Sequence, residues 1–311
     1  MGVHRKLVIS LLAAVVSVSA AELDLLKLVM PEARVVAGAN ITQIRVSALG
    51  QFLLSRLSPQ EEKDLQELVQ TTGFDPRWHL EEVVIAAPGG AGNRQGLVLA
   101  RGTFNPLLLL GAAKEAGAEV AAYQGVEVVS APGGQGAFAL LDRSTAVAGD
   151  PESVRGAIDC RGSGAGAKLD PKLTAKIGEL RPTQDAWFVS LVPFSELAAR
   201  VPNPNASGLL QGDLLQSIDQ VSGSVKFGAL VEASGEMVAR TPQDADTLAA
   251  ALRFLAGLVQ LNQRDPRVAQ LGPLLETLDI KTDKNAVKLR LSIPETQLEA
   301  LIQSSARKPR P

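Results

Sequence analysis

The chain has 311 residues, 46% of them hydrophobic, with 31 basic against 33 acidic side chains. Setting aside residues 1–21 removes Arg5 and Lys6 and leaves 29 basic against 33 acidic, a charge of −4, which excludes a general attraction to nucleic acid phosphates. The single cysteine, Cys160, excludes an internal disulfide, and the length suggests two domains with cores large enough to do without one.

The first residues follow the order of a cleavable signal peptide, 1–21. Arg5 and Lys6 precede an uncharged apolar run, Leu7–Val18, and then the small residues Val18-Ser19-Ala20-Ala21. The run is short for an uncleaved anchor, which needs about 20 residues. No cysteine lies near the cleavage site to carry a lipid, and no later stretch is long enough to span a membrane. The mature protein is therefore expected to be periplasmic or secreted.

In the mature chain "ARVVAGANIT" (33–42) reads as a strand, and Leu49, Phe52, Leu53 and Leu57 share one helical face. Ser58-Pro59-Gln60-Glu61 forms a capping box with proline at the first helical position. "LEEVVIAAP" and "QGLVLARG" are two strands, "NPLLLLGAAKEAG" (105–117) is a helix stopped by Gly117, and short glycine-broken strands follow. Asp150-Pro151-Glu152-Ser153 caps the next helix, with Val154, Ala157 and Ile158 facing inward. "RGSGAGAK" (161–168) is a loop, and a helix near 170–180 bridges to the second half.

That half opens with the apolar strand "AWFVSLVP" (186–193), then helical "FSELAARV" and a loop, "PNPNASG". "VSGSVKFGALVEASG" alternates with Val221, Val225, Phe227, Ala229 and Val231 on one face, and "EMVART" is a further strand. Thr241-Pro242-Gln243-Asp244 starts a helix whose stripe is Ala245, Leu248, Leu252, Leu255 and Val259. In "VKLRLSI", Val287, Leu289, Leu291 and Ile293 alternate with Lys288, Arg290 and Ser292, and Ser292–Glu295 caps a last helix.

The expected class is α+β: two similar units of mostly antiparallel sheet with helices packed on one face. Each unit has the order strand–helix–strand–strand–helix–strand–strand, resembling split β-α-β arrangements. The expected boundaries are a signal peptide at 1–21, a first unit at 22–160, a loop and bridging helix at 161–184, a second unit at 185–303 and a disordered basic tail at 304–311.

The glycines of "AAPGGAGNRQGLVLARG" (86–102) would cradle a phosphate only if a helix followed them, but "LVLARG" is strand-like. Gln95 stands where the third glycine of a dinucleotide loop belongs, no glycine-lysine pair precedes Ser or Thr, and "APGG" recurs at 131–134. Both stretches are read as turns.

His79 is the only histidine of the mature chain and has no G-x-S-x-G or S-x-x-K motif beside it, so it is read as structural. One histidine and one cysteine cannot build a zinc site, Asp142, Asp150 and Glu152 are scattered, and Cys160 is read as a small buried residue. Glu81 and Glu82 point to opposite faces of a strand, and Glu61-Glu62 lies on a charged helix surface. Trp187-Phe188 is read as core, and Asn40 and Asn205 matter as glycosylation acceptors only in a eukaryotic pathway. No catalytic, cofactor-binding or metal-binding residue is assigned, and no cofactor is expected.

"FALLDRSTAVAGDPESVRGAID" with "PEARVVAGANITQIRVSALGQFLL" resembles a loose group of exported bacterial proteins of unknown function, chiefly over residues 36–53 and 145–159. The resemblance implies export and repeated α+β units, and brings no active residues.

Three functions remain. A non-enzymatic envelope protein that binds another protein or serves a structural role predicts a sheet face or groove with exposed apolar residues. A carrier of a lipid or other apolar molecule, lined by "NPLLLLGAA" and "LAAALRFLAGLVQL", predicts a continuous interior cavity with few polar groups. An uncatalogued hydrolase predicts two carboxylates of raised pKa in one cleft. The first is adopted.

Overall fold

The computed structural model describes residues 24–89, 96–163, 168–193, 213–261 and 272–306. The expected signal peptide, the helix "FSELAARV" and residues 307–311 lie outside them.

A 3-10 turn, Leu25–Leu28, precedes β1 (Val35–Asn40). Asn40 ends the strand and its side chain accepts from Gln43 N–H, so α1 (Ile41–Val46) starts at once where the sequence reads as strand to 42. After α2 (Ala48–Leu54), the capping box of Ser58 and Glu61 opens α3 (Pro59–Thr72), which ends at left-handed Gly73. Then come α4 (Pro76–His79), β2 (Leu80–Ala87), β3 (Leu97–Gly102) and α5 (Pro106–Glu115). Four strands follow where the expected unit has two: β4 (Glu119–Tyr123), β5 (Val126–Ser130), β6 (Ala137–Leu140) and β7 (Thr145–Gly149). Helices α6 (Pro151–Ser163) and α7 (Pro171–Leu180) lead to β8 (Ala186–Ser190).

The second half continues with α8 (Asp213–Gln216), β9 (Ile218–Lys226), β10 (Leu230–Ala239) and α9 (Pro242–Leu261). The alternating run read as one strand is thus a hairpin, with Phe227 and Ala229 in its turn. Helix α10 (Gly272–Glu276), β11 (Asp279–Asp283), β12 (Ala286–Pro294) and α11 (Glu295–Ala306) complete the chain. Glu295 does not join a cap formed by Ser292, which stays in β12; its carboxylate accepts from Leu49 N–H and ties α11 to α2.

Among the described residues twelve strands form one sheet in the order β11-β12-β10-β9-β8-β1-β2-β3-β7-β6-β5-β4, and every pairing between them is antiparallel. The halves join where β1 pairs β8, Gly38 opposite Trp187. Gly38 is required there: a Cβ would lie 2.4 Å from Trp187 Cζ2, so the indole lies over the glycine.

The core helices of the two halves cover opposite faces of the joined sheet. Leu25, Leu28 and Val29, with α6 (Val154, Ile158) and α7 (Leu173, Ile177), bury Val36, Val84, Leu99, Val147 and Trp187. By register these strand residues share one side, here face A. In the second half Ala245, Leu248 and Ala249 of α9 pack on Val221, Met237 and Val287, which lie on the opposite side, face B. Alternation fixes which residues of a strand point together but not which side a helix will cover.

Candidate interaction face

The two halves treat their uncovered sides differently. In the second half face A carries Ser222, Glu236, Lys288 and Lys281 in one cross-strand row, and Lys176 of α7 pairs with Glu236 at 2.8 Å. That side is polar, as expected of a sheet with one wet face.

Face B has no such row from β3 across the join of the halves to β9. Val98, Ile85, Ala37, Phe188 and Gly223 are successive cross-strand partners from β3 to β9, and the row continues through Gly235 to Leu289, under α9. The next row toward the other strand ends is Val83, Ala39, Ala186, Val225 and Ala233. Neither row holds a polar side chain. Strands apolar on both sides are normally covered on both sides. Here Ile85 is 50% exposed, Phe188 40% and Val98 38%.

Small residues make this face a trough of about 460 Å³. Ala37, Ala39, Ala186 and Ala233 form its floor, with Ile85, Val83 and Phe188 rising from it. Gly223 sets the position of Phe188: a Cβ there would come within 2.4 Å of the ring, so the phenyl lies flat across β9. The dipeptide Trp187-Phe188 therefore divides between the faces, with Trp187 5% exposed in the core and Phe188 in the trough. The reading of both as core is corrected for Phe188.

Several of the other polar residues singled out in the sequence have structural partners. His79 Nδ1 accepts from Asp75 N–H, and its ring lies 6.0 Å from Phe74. Glu82, on face A, meets Arg181 at 2.9 Å and Arg101 at 3.5 Å, while Glu81 is exposed on face B. These residues border a mixed cleft of about 550 Å³ that also includes Gln43 and Gln184. Arg181 is held by Glu82 and by Asp24 at 2.7 Å.

Asp142 holds the turn at Ser144. Asp150 accepts from Ser153 N–H, Ser153 Oγ and Gly96 N–H, so it caps α6 and also ties the start of β3 to it. Burial pushes the Asp150 carboxyl up, but these hydrogen bonds outweigh it and leave it below its ordinary value. Cys160 is partly buried, and burial, with Asp159 and Glu32 nearby, pushes its thiol up, away from the reactive thiolate.

Among the described residues no three His, Cys, Asp or Glu side chains converge to hold a metal ion, and no helix is long and apolar enough to cross a membrane. The second "APGG" is a turn between β5 and β6, with Gly133 and Gly134 at positive φ. The first lies between antiparallel β2 and β3, with Gly89 at φ +78° and Gly90–Gln95 outside the described residues.

Sequence reasoning missed the trough, although its signal was present. "VVAGAN", "EVVIAA" and "AWFVS" lack the polar alternation of "VKLRLSI". In "NPLLLL", Leu107 and Leu108 are exposed, while Pro106 and Leu110 border a cleft of about 360 Å³.

No protein-family model matches the chain, and no curated protein matches it in sequence. Three solved structures share its fold: crystal forms I, III and IV of TP0453, from a Treponema bacterium. They align over 91% of this chain and 98%, 99% and 98% of theirs, at 10%, 11% and 10% identity, with TM-scores of 0.51, 0.51 and 0.53. At that identity the likeness concerns fold alone: the chain is similar to TP0453 in its α+β architecture around a large antiparallel sheet.

Proposed function

We propose that the protein is an exported, non-enzymatic envelope module that binds another polypeptide through face B where the two halves join, from β3 to β9. One observation carries this reading: the row Val98–Ile85–Ala37–Phe188–Gly223 is apolar and open, while the same row beyond Gly235 is covered by α9. Export and a periplasmic or secreted location are supported by the N-terminal pattern of residues 1–21 and by a bacterial neighbour in fold. Two related units, 22–160 and 185–303, are supported by the shared progression from strand through helix to a pair of strands and a further helix.

The carrier reading predicts a continuous interior cavity, whereas the trough lies on a sheet face whose Ile85 and Phe188 are exposed. The hydrolase reading predicts two carboxylates of raised pKa in one cleft; Asp75 and Asp150, which cap helices, and Asp142, which holds a turn, are lowered instead. Benzoylphenylalanine placed at Ile85 or Phe188, and irradiated in intact cell envelopes, tests the proposal, with Arg290 on the polar face as control. An adduct to a polypeptide from the trough sites alone supports it. Adducts only to lipid, or none, overturn it.

A further inference from the structure

Helix α9 has a second apolar side. Leu248 and Leu252 face its own sheet. At 100° per residue Leu261 lies half a turn round from Leu252, with Phe254 and Leu258 beside it. Phe254 is 60% exposed and Leu261 84%. From Thr247 to Leu261 the helix carries one charge, Arg253, whose guanidinium donates to Ile280 O at the flank. A helix apolar all round is one buried on all sides, yet α9 has a sheet on one side only.

Convex helix and open trough stand side by side on face B. The trough crosses β2, β1, β8, β9 and β10, about 19 Å at four strand spacings. The ridge from Phe254 to Leu261 is about 10 Å long at 1.5 Å per residue. A second copy turned about a two-fold axis parallel to the strands, near the step between bare and covered sheet, brings the ridge of each chain over the trough of the other. Such an interface is self-complementary and closed. It places each α9 between two sheets and covers both exposed patches at once. A flat partner surface would leave the trough unfilled.

We infer that the occupant of the trough is a second copy of this chain, the Phe254–Leu261 ridge of each α9 packing on Ile85 and Phe188 of the other. This rests on face B being a polypeptide-binding surface. Sedimentation and native mass spectrometry of the full chain test it, with Phe254→Asp, Ile85→Asp and the control Arg290→Asp.

The expected result is twice the mass of one chain, which is 32.6 kDa with residues 1–21 and less without them. Either face-B variant weakens the dimer about thirtyfold or more, the effect of a central interface anchor, and the control does not. Both substituted side chains are exposed, so circular dichroism should show unchanged folding. As a second readout, a Cys160→Ser chain with Ile85→Cys is mixed with a Cys160→Ser chain with Phe254→Cys; a disulfide between the two kinds of chain is expected.

A monomer at all micromolar concentrations overturns the inference, as does a dimer indifferent to both variants. A monomer carrying a small apolar molecule also overturns it and assigns the trough to that molecule. If the inference fails but the envelope cross-link joins a different polypeptide, the broader reading stands. If that cross-link fails too, both fall.

Discussion

Gly38→Ala tests whether the packing at the join between the halves is as tight as the structure indicates. The added methyl carbon would sit 2.4 Å from Trp187 Cζ2 and 2.6 Å from Cε2. Ordinary carbon contacts are about 3.5–4.0 Å, so the indole must retreat by about 1 Å or more. Trp187 is 5% exposed and belongs to the cluster formed with Val36, Val84 and Val189, so it has little room. Overpacking of this kind costs about 1–3 kcal/mol. Alanine is better than glycine within a strand by about 0.5–1 kcal/mol, which offsets part of it. Steric crowding should win, leaving a net loss of about 1–2 kcal/mol, read as a lower urea midpoint at unchanged slope. Trp187→Leu removes the obstacle, so in that background Gly38→Ala should be neutral or stabilising, with a coupling of about 2 kcal/mol. A Gly38→Ala protein as stable as the parent would refute the reasoning.

Three further outcomes are expected. Leu25→Ala, at a fully buried position between α6, α7 and the sheet, should cost about 2–5 kcal/mol, whereas Val46→Ala, largely exposed, should cost less than about 0.5 in the same denaturation assay. Glu82→Gln leaves Arg101 and Arg181 without their shared carboxylate and should cost about 3 kcal/mol by thermal unfolding; an equally small effect from Glu82→Gln and exposed Glu81→Gln would count against a structural role for the cluster. Because the Asp150 carboxyl is held low, its contribution is complete above the unfolded value near 3.9 and lost as pH falls through the lower folded value. Stability should therefore decline with acidification below about pH 4, and Asp150→Asn should flatten that decline.

Local chemistry made many element boundaries legible in the sequence. Ser58 and Glu61 formed their reciprocal cap, Asp150 capped α6, and the Val287–Ile293 alternation appeared as written. Pro59, Pro76, Pro106, Pro151, Pro171 and Pro242 each open a helix, where a missing N–H costs nothing. The side of the sheet that each helix covers was not legible, because it depends on the β1–β8 pairing, between segments about 150 residues apart. Nor was the turn at Leu25–Leu28, since four residues show no helical period and only their burial marks them as core. The trough was hidden by its own composition. An apolar strand reads as buried on both sides, and only the assembled sheet reveals which side lacks a cover.

The position of Leu25–Met30 has a consequence in time. These residues come early in the chain, but their packing partners Leu173 and Ile177, and the Arg181 that binds Asp24, come about 150 residues later. At roughly 5–20 residues per second, synthesis leaves them waiting about 10–30 s before the core that receives them exists. Throughout that interval Leu25, Leu26, Leu28, Val29 and Met30, interrupted by Lys27, form an apolar handle accessible to whatever meets the nascent chain. Closure of face A then becomes a late and long-range event, so the order of synthesis itself keeps this protein open until most of it has been made.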